Sequence, residues 1–342
     1  MARFLPRSFL PFLAICPPLG VVFETVSIMA VYAFTFPGQG SQSVGMGQEL
    51  AAAFPAARAV FQEVDDSLGE HLSKTIFEGP LETLTSTENA QPALMAVSMA
   101  VLRVLELDGG LDLAGRVTLL AGHSLGEYAA LAAGRAFHVA QAAKLLRLRG
   151  QAMQRAVPAG EGGMAALIGV TLAQAEEICT RASAEGSTEI ANDNGGGQIV
   201  ISGKMAGIDA AITIAKEMGI KRALKLPVSA PFHSSLMKPA EDVMAEALAK
   251  ADIATPVVPV VANVTAERES DADTIRLNLI QQVTGRVRWR ESVATMTGLG
   301  VDTFVEIGAG KVLSGLVRRI DPEVSALSIG TPADVEAFLK SL

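Results

Sequence analysis

From Val31 the chain alternates short apolar runs with longer stretches whose apolar side chains recur every three or four residues. Val31 to Phe36 has the β-branched and aromatic make-up of a strand. A glycine-rich loop, Pro37 to Gly47, follows, and helical patterns then run to about Leu107. Arg116 to Ala121 is a second apolar run, short enough for a buried strand, and the Ala- and Leu-rich stretch from Leu125 to Gly134 reads as a helix. A further helix covers about Val139 to Val157. Strands alternating with helices of this length predict an α/β fold with a mostly parallel sheet, because parallel neighbours need a crossover and a helix usually supplies it.

Between Gly160 and Ser229 the rhythm changes. Met164–Val170 predicts a strand and Leu172–Ala184 a helix; two short strands, Thr188–Asn192 and Gln198–Ser202, are joined by the turn Asp193 to Gly197. A helix over Ile208–Met218 and a strand over Arg222–Val228 complete a βαββαβ order, the ferredoxin-like arrangement. The expected organisation is thus an α/β-hydrolase-like large domain from residues 29–159 and 230–342, carrying residues 160–229 as an inserted ferredoxin-like subdomain. In the returning part, Lys238–Lys250 reads as a helix, Val257–Val261 and Thr303–Ile307 as strands, and a last strand and helix close the chain.

Residues 1–28 do not share this pattern. Arg3 and Arg7 precede an apolar run from Phe9 to Ile15 that Pro17 and Pro18 break. The order is that of a signal peptide, but no small-x-small cleavage site follows and the run is too short to span a bilayer. Met29, just ahead of the first strand, is the expected working start, with residues 1–28 as a non-native or upstream extension without a folded role; secretion is the alternative.

Composition narrows the class. Across 342 residues, 49% hydrophobic and 19% charged side chains describe a well-packed globular protein, and a net charge of −8 disfavours nucleic acid as the main partner. Two cysteines, Cys16 and Cys179, make neither a disulfide framework nor a cysteine metal site, which fits a reducing cytoplasm. No cluster of histidines or carboxylates suggests a metal.

The chemistry concentrates at Gly122-His123-Ser124-Leu125-Gly126, which puts a serine where a strand turns sharply into a helix. Such an elbow exposes the hydroxyl at the end of a sheet, with the next backbone N–H opening a helix. A serine nucleophile needs a base, and the chain has four histidines. His123 is next to the serine, where side chains diverge, and suits packing or turn support. His71 lies among polar residues and reads as exposed, and His138 stands at a helix boundary where capping is the plain reading. His233, in a proline-containing loop just past a strand, is the candidate base; a structural role is the alternative.

Arg149 shares a helical stripe with Ala142, Leu146 and Met153, whereas Arg147 points to the other side. An inward arginine needs an anionic partner: an internal Asp or Glu, or a substrate carboxylate that its fork would clasp. Phe36-Pro-Gly-Gln-Gly-Ser-Gln42 is not a dinucleotide fingerprint, but it could bring the Gln39 N–H to a reacting group. Gly308-Ala-Gly-Lys311 lacks the spacing and the Ser/Thr of a phosphate loop.

With these residues in view, the chain from Met29 onward resembles the malonyl-CoA:acyl-carrier-protein transacylases, of the acyltransferase family of fatty acid and polyketide synthesis. The matches include Phe36-Pro-Gly-Gln-Gly-Ser-Gln, Gln91-Pro-Ala-Leu, Gly122-His-Ser-Leu-Gly-Glu-Tyr, Arg149-Gly, Phe232-His233 with Leu236-Met-Lys-Pro, Val287-Arg-Trp289 and Gly308-Ala-Gly-Lys-Val-Leu313. The resemblance implies that Ser124 carries the acyl group, that His233 is the base and that Arg149 binds the free malonyl carboxylate. It further implies an oxyanion hole from the N–H groups of Gln39 and Leu125, and a backbone carbonyl near Gln282 that orients the histidine. Leu125 and Phe232 match malonyl-selecting forms; Ala309, and Gly285-Arg286 before Val287, depart from the family's frequent prolines. The implied partners are malonyl-CoA and acyl carrier protein, with no cofactor, no nucleic acid and no membrane, in a cytoplasmic monomer. Lys221, Arg222 and Lys225, or Arg286, Arg288 and Arg290, are candidate basic residues for docking an acidic carrier. The rival readings are a polyketide-pathway acyltransferase, a serine thioesterase or hydrolase, and a noncatalytic scaffold on the same fold.

Overall fold

The computed structural model describes residues 30–342, so the expectations for residues 1–28 and for Met29 lie outside the described residues. Ten strands form two sheets: β1 (Tyr32–Phe36), β2 (Val117–Gly122), β3 (Gly162–Ile168), β4 (Thr188–Asp193), β5 (Gln198–Lys204), β6 (Arg222–Lys225), β7 (Val260–Val261), β8 (Arg268–Glu269), β9 (Thr303–Ile307) and β10 (Ser325–Ile329). The first sheet runs β10-β9-β1-β2-β7-β8, parallel except for β8. The α/β expectation with a parallel sheet therefore holds. β1 is apolar almost throughout because helices cover both faces; Ala33, Phe34 and Phe36 are completely buried.

Register decides where the chemistry gathers. Phe36, the last residue of β1, stands beside Gly122, the last of β2. The glycine-rich loop after β1 and the elbow after β2 therefore leave the sheet side by side at its carboxyl edge, where open α/β sheets bind ligands. Behind them runs the helix Thr87–Leu107. It is long and apolar enough to cross a membrane, but 83% of its most apolar window is buried inside the fold.

The second sheet is antiparallel throughout, in the order β4-β5-β3-β6. Helices Leu172–Ala182 and Met205–Glu217 close a core of their own with it around Leu167, Ile178, Ile201 and Ile208. β4 also binds the first unit: the Asp193 N–H donates to the Val287 carbonyl at 2.9 Å and the Val287 N–H to Ala191 at 2.8 Å. Arg290 adds an ion pair with Asp193 at 2.9 Å.

Element ends differ from expectation for local reasons. β6 stops at Lys225 rather than Val228, since Pro227 cannot donate to a ladder. β7 shrinks to two residues after Pro256 and Pro259. The helix expected from Ile208 starts at Met205, because Gly207 serves packing and does not break it: a Cβ there would lie 2.2 Å from the Gly186 carbonyl oxygen.

Candidate active site

The elbow depends on two glycines. A Cβ on Gly122 would meet the Gly126 carbonyl at 1.9 Å, and one on Gly126 would meet the Phe36 carbonyl oxygen at 2.2 Å. Between them Ser124 takes φ 54°, ψ −111°, a conformation that costs a non-glycine residue about 1–3 kcal/mol. Asn263, buried just beyond β7, holds it there. Its Oδ1 accepts the Ser124 N–H at 2.7 Å and its Nδ2 donates to the Gly122 carbonyl at 2.7 Å. Each such bond contributes about 1 kcal/mol net, comparable with the strain it opposes.

The structure brings Ser124, His233, Arg149 and Gln282 together. The Ser124 hydroxyl donates to His233 Nε2 at 2.7 Å. His233 is itself in left-handed backbone, at φ 55°, in the loop where the chain returns from the second sheet. Its Nδ1 donates to two main-chain carbonyls, Gln282 at 2.9 Å and Gly285 at 3.1 Å. Carbonyls only accept, so they fix the tautomer with the proton on Nδ1 and leave Nε2 free to accept from the serine.

Arg149 is buried, and among the described residues no carboxylate is hydrogen-bonded to it. Nη1 donates to Gln91 Oε1 at 2.7 Å, while Nη2 donates to Gln282 Oε1 at 2.8 Å and to Ser124 Oγ at 3.1 Å. Its guanidinium also faces the Tyr128 ring, with Cζ 5.8 Å from the ring centre. Of the two partners foreseen for it, an internal carboxylate does not reach hydrogen-bonding distance. Instead neutral amide oxygens hold a cationic fork against the Ser124 hydroxyl, beside an open cleft of about 450 Å³. Gln39 and Leu125 line that cleft, and among the described residues neither of their backbone N–H groups has a hydrogen-bond partner. Met153, Met164 and Phe232 make part of its apolar wall, and Asn192 and Asn194 reach it from the second sheet.

Burial pushes the His233 imidazole down to about 3, with the Arg149 charge and then His123 adding to the effect and the two carbonyls opposing it. The unfolded chain takes up a proton near the ordinary value of 6.5, which the native site refuses. This contribution to stability is therefore complete above pH 6.5 and declines as pH falls from there towards 3. Nitrogen NMR of the imidazoles should show His233 as the neutral Nδ1–H tautomer from pH 8 to pH 5. A His233 titration between pH 6 and 7 would contradict the burial argument.

The other histidines fall elsewhere. His123 is bonded through Nε2 to Asn194 Oδ1 at 2.9 Å and tilts against Trp289, linking the elbow to the turn after β4. His71 is exposed. His138 precedes the helix Val139–Arg155 without a side-chain capping bond, so the capping expectation fails; the imidazole lacks the short oxygen acceptor that capping uses. Arg147, on the other side of that helix, pairs with Glu70 at 2.8 Å.

Sequence reasoning did not find the polar layer beneath the site. Gln282 is completely buried, and its Nε2 donates to the Ser124 carbonyl at 2.9 Å and to Glu127 Oε2 at 2.7 Å. The same Glu127 oxygen accepts the Asn263 N–H at 3.2 Å. Burial raises the Glu127 carboxyl to about 7, against the lowering pull of Gln282, Asn263 and Arg149. One signal was available: Glu127 is the only charged residue in the helix Leu125–Ala133. Several docking candidates are engaged with acids: Lys225 with Asp209 at 2.6 Å, Arg286 with Glu291 at 3.7 Å, Arg290 with Asp193 at 2.9 Å, and Arg288 with Glu291. Lys221 and Arg222 are exposed.

The chain is similar to known proteins over most of its length. Residues 33–325 match the acyl transferase domain family. The malonyl CoA-acyl carrier protein transacylase of Bacillus subtilis is 44% identical over 92% of this chain and 98% of its own length. The crystal structure of an acyl-carrier-protein-S-malonyltransferase from Bartonella henselae is 56% identical, with a TM-score of 0.89 over 91% of this chain and 99% of that one. A malonyl-transacylase solved in complex with its type II polyketide acyl-carrier protein is 40% identical, with a TM-score of 0.88 over 92% of this chain and all of that one. A serine elbow, a neutral histidine and a buried arginine fork thus stand in a chain that belongs to the acyl transferase family, together with the malonyl CoA-acyl carrier protein transacylases.

Proposed function

We propose that the protein transfers malonyl from malonyl-CoA to the phosphopantetheine thiol of acyl carrier protein, for fatty acid synthesis, through a malonyl ester on Ser124. The observation that carries this reading is the Arg149 fork within 3.1 Å of the nucleophile, with no carboxylate among the described residues hydrogen-bonded to it. An acyl group ending in a carboxylate supplies the missing anion; a plain ester does not.

His233 Nε2 takes the proton of Ser124 Oγ as the oxygen attacks the thioester carbonyl. The resulting oxyanion sits between the N–H groups of Leu125 and Gln39, where one donor is worth about 3–4 kcal/mol. The carbon–sulfur bond breaks, and the coenzyme A sulfur leaves with the proton from Nε2. In the second half the carrier thiol gives its proton to Nε2 and attacks the ester, and Oγ recovers the proton as its bond to the acyl carbon breaks. Arg149 holds the carboxylate through both halves, and the Gln282 carbonyl keeps the imidazole aimed.

In this reading residues 30–159 and 230–342 form an α/β-hydrolase-like domain, and residues 160–229 a ferredoxin-like insertion whose antiparallel order β4-β5-β3-β6 supports that description. On the same reading a single cytoplasmic chain suffices, because it supplies every group the mechanism uses. The carrier thiol reaches Ser124 through the open cleft that the serine lines.

Intact-mass measurement tests the reading. Malonyl-CoA should add one malonyl group, and the phosphopantetheine form of acyl carrier protein should remove it and become malonylated itself. Loss of the adduct to water, with no malonylated carrier, would make the protein a thioesterase instead.

A further inference from the structure

Glu127 takes no part in the proton transfers above, yet it is buried and bonded to two residues that hold Ser124 in place. Its Oε2 receives the Gln282 side chain at 2.7 Å and the Asn263 main chain at 3.2 Å. The Asn263 N–H can only donate, so Oε2 is an acceptor, and it dictates which end of the Gln282 amide faces it. With one Nε2 hydrogen on Glu127 and the other on the Ser124 carbonyl at 2.9 Å, Oε1 is left to face Arg149 Nη2 at 2.8 Å. A flipped amide would set N–H groups against a guanidinium that only donates, and an oxygen against the carboxylate. Both contacts would be repulsive in a buried site.

We propose that Glu127 is a positioning residue: it locks the Gln282 side chain in the single orientation that holds the Arg149 fork at the nucleophile, and so sets the preference for an acyl group ending in a carboxylate. The groups that share its surroundings are consistent with this role. Arg149 and Tyr128 are its charged or titratable neighbours, and the first is the only cation among them. The inference rests on the malonyl-transfer reading, because it is through a substrate carboxylate that the position of Arg149 matters.

Malonyl and acetyl loading of Ser124 from the two coenzyme A thioesters, followed by quenched intact mass, gives the test. In E127A the malonyl-over-acetyl rate ratio should fall at least ten-fold. E127Q, which keeps an oxygen within reach of both donors, should recover most of that loss. In a Gln282→Ala background the Glu127 substitution should change the ratio less than three-fold further, since the route through the amide is already gone. If E127A does not accumulate as folded protein, Glu127→Asp, one methylene short of the amide, takes its place in the cycle. A merely structural role predicts a lower melting temperature with the ratio unchanged; that result, or effects that multiply in the double variant, overturns the proposal. Failure of the wild type to load malonyl would instead overturn the malonyl-transfer reading itself.

Discussion

Ser124→Ala should form no acyl adduct with malonyl-CoA and should lose malonyl transfer by about four orders of magnitude or more, as removal of a serine nucleophile does elsewhere. The fold should survive the change. Ser124 makes its supporting contacts through the main chain, its N–H to Asn263 and its carbonyl to the Gln282 amide, and both remain in the alanine variant. The side chain contributes only Oγ, which faces His233 Nε2 and Arg149 Nη2. Rate loss and stability are therefore separable here. Intact mass and a melting curve on the same preparation check both. An adduct that persists in Ser124→Ala would place the nucleophile elsewhere and remove the basis of the mechanism.

Arg149→Ala should cut malonyl transfer by about two to three orders of magnitude, the scale on which truncating one partner of a buried charge pair acts, while acetyl transfer falls by less than about ten-fold. The asymmetry is the informative part. Acetyl presents no carboxylate, so it loses only the indirect support that Arg149 gives to Ser124 Oγ, Gln91 and Gln282. Arg149→Lys should restore little, because one ammonium cannot reach two amide oxygens on divergent sides and still meet a carboxylate with a planar fork. Steady-state rates with the two acyl donors decide the matter: equal losses would assign Arg149 to scaffolding rather than to substrate.

The parts of this site that were legible in the sequence are those whose cause is local. The elbow shows because a strand pattern, two glycines and a helix pattern are contiguous from Arg116 to Gly134. Arg149 shows because helical phase sets it on an apolar stripe. His233 shows by elimination among few candidates and by its loop. What stayed hidden depends on partners far along the chain. Asn263 reads as an ordinary polar residue after a short apolar run, and only the fold carries it to Ser124, 139 residues away. Gln282 sits in the weakly amphipathic helix Ala272–Gln282, and nothing nearby says that its side chain bridges Ser124, Glu127 and Arg149. The strand ends misjudged near Pro227 and Pro259 have the opposite origin: side chains there look right for strands, but the backbone lacks donors.

The carbonyls of Gln282 and Gly285 that aim His233 belong to the main chain, and every residue type possesses one. A triad aspartate can be deleted by a single codon change; this acceptor cannot. Alanine at position 282 would strip the amide from Arg149 and leave the imidazole's partner in place. Side-chain scanning is blind to such a contact, and genetic drift can remove it only by moving the backbone itself.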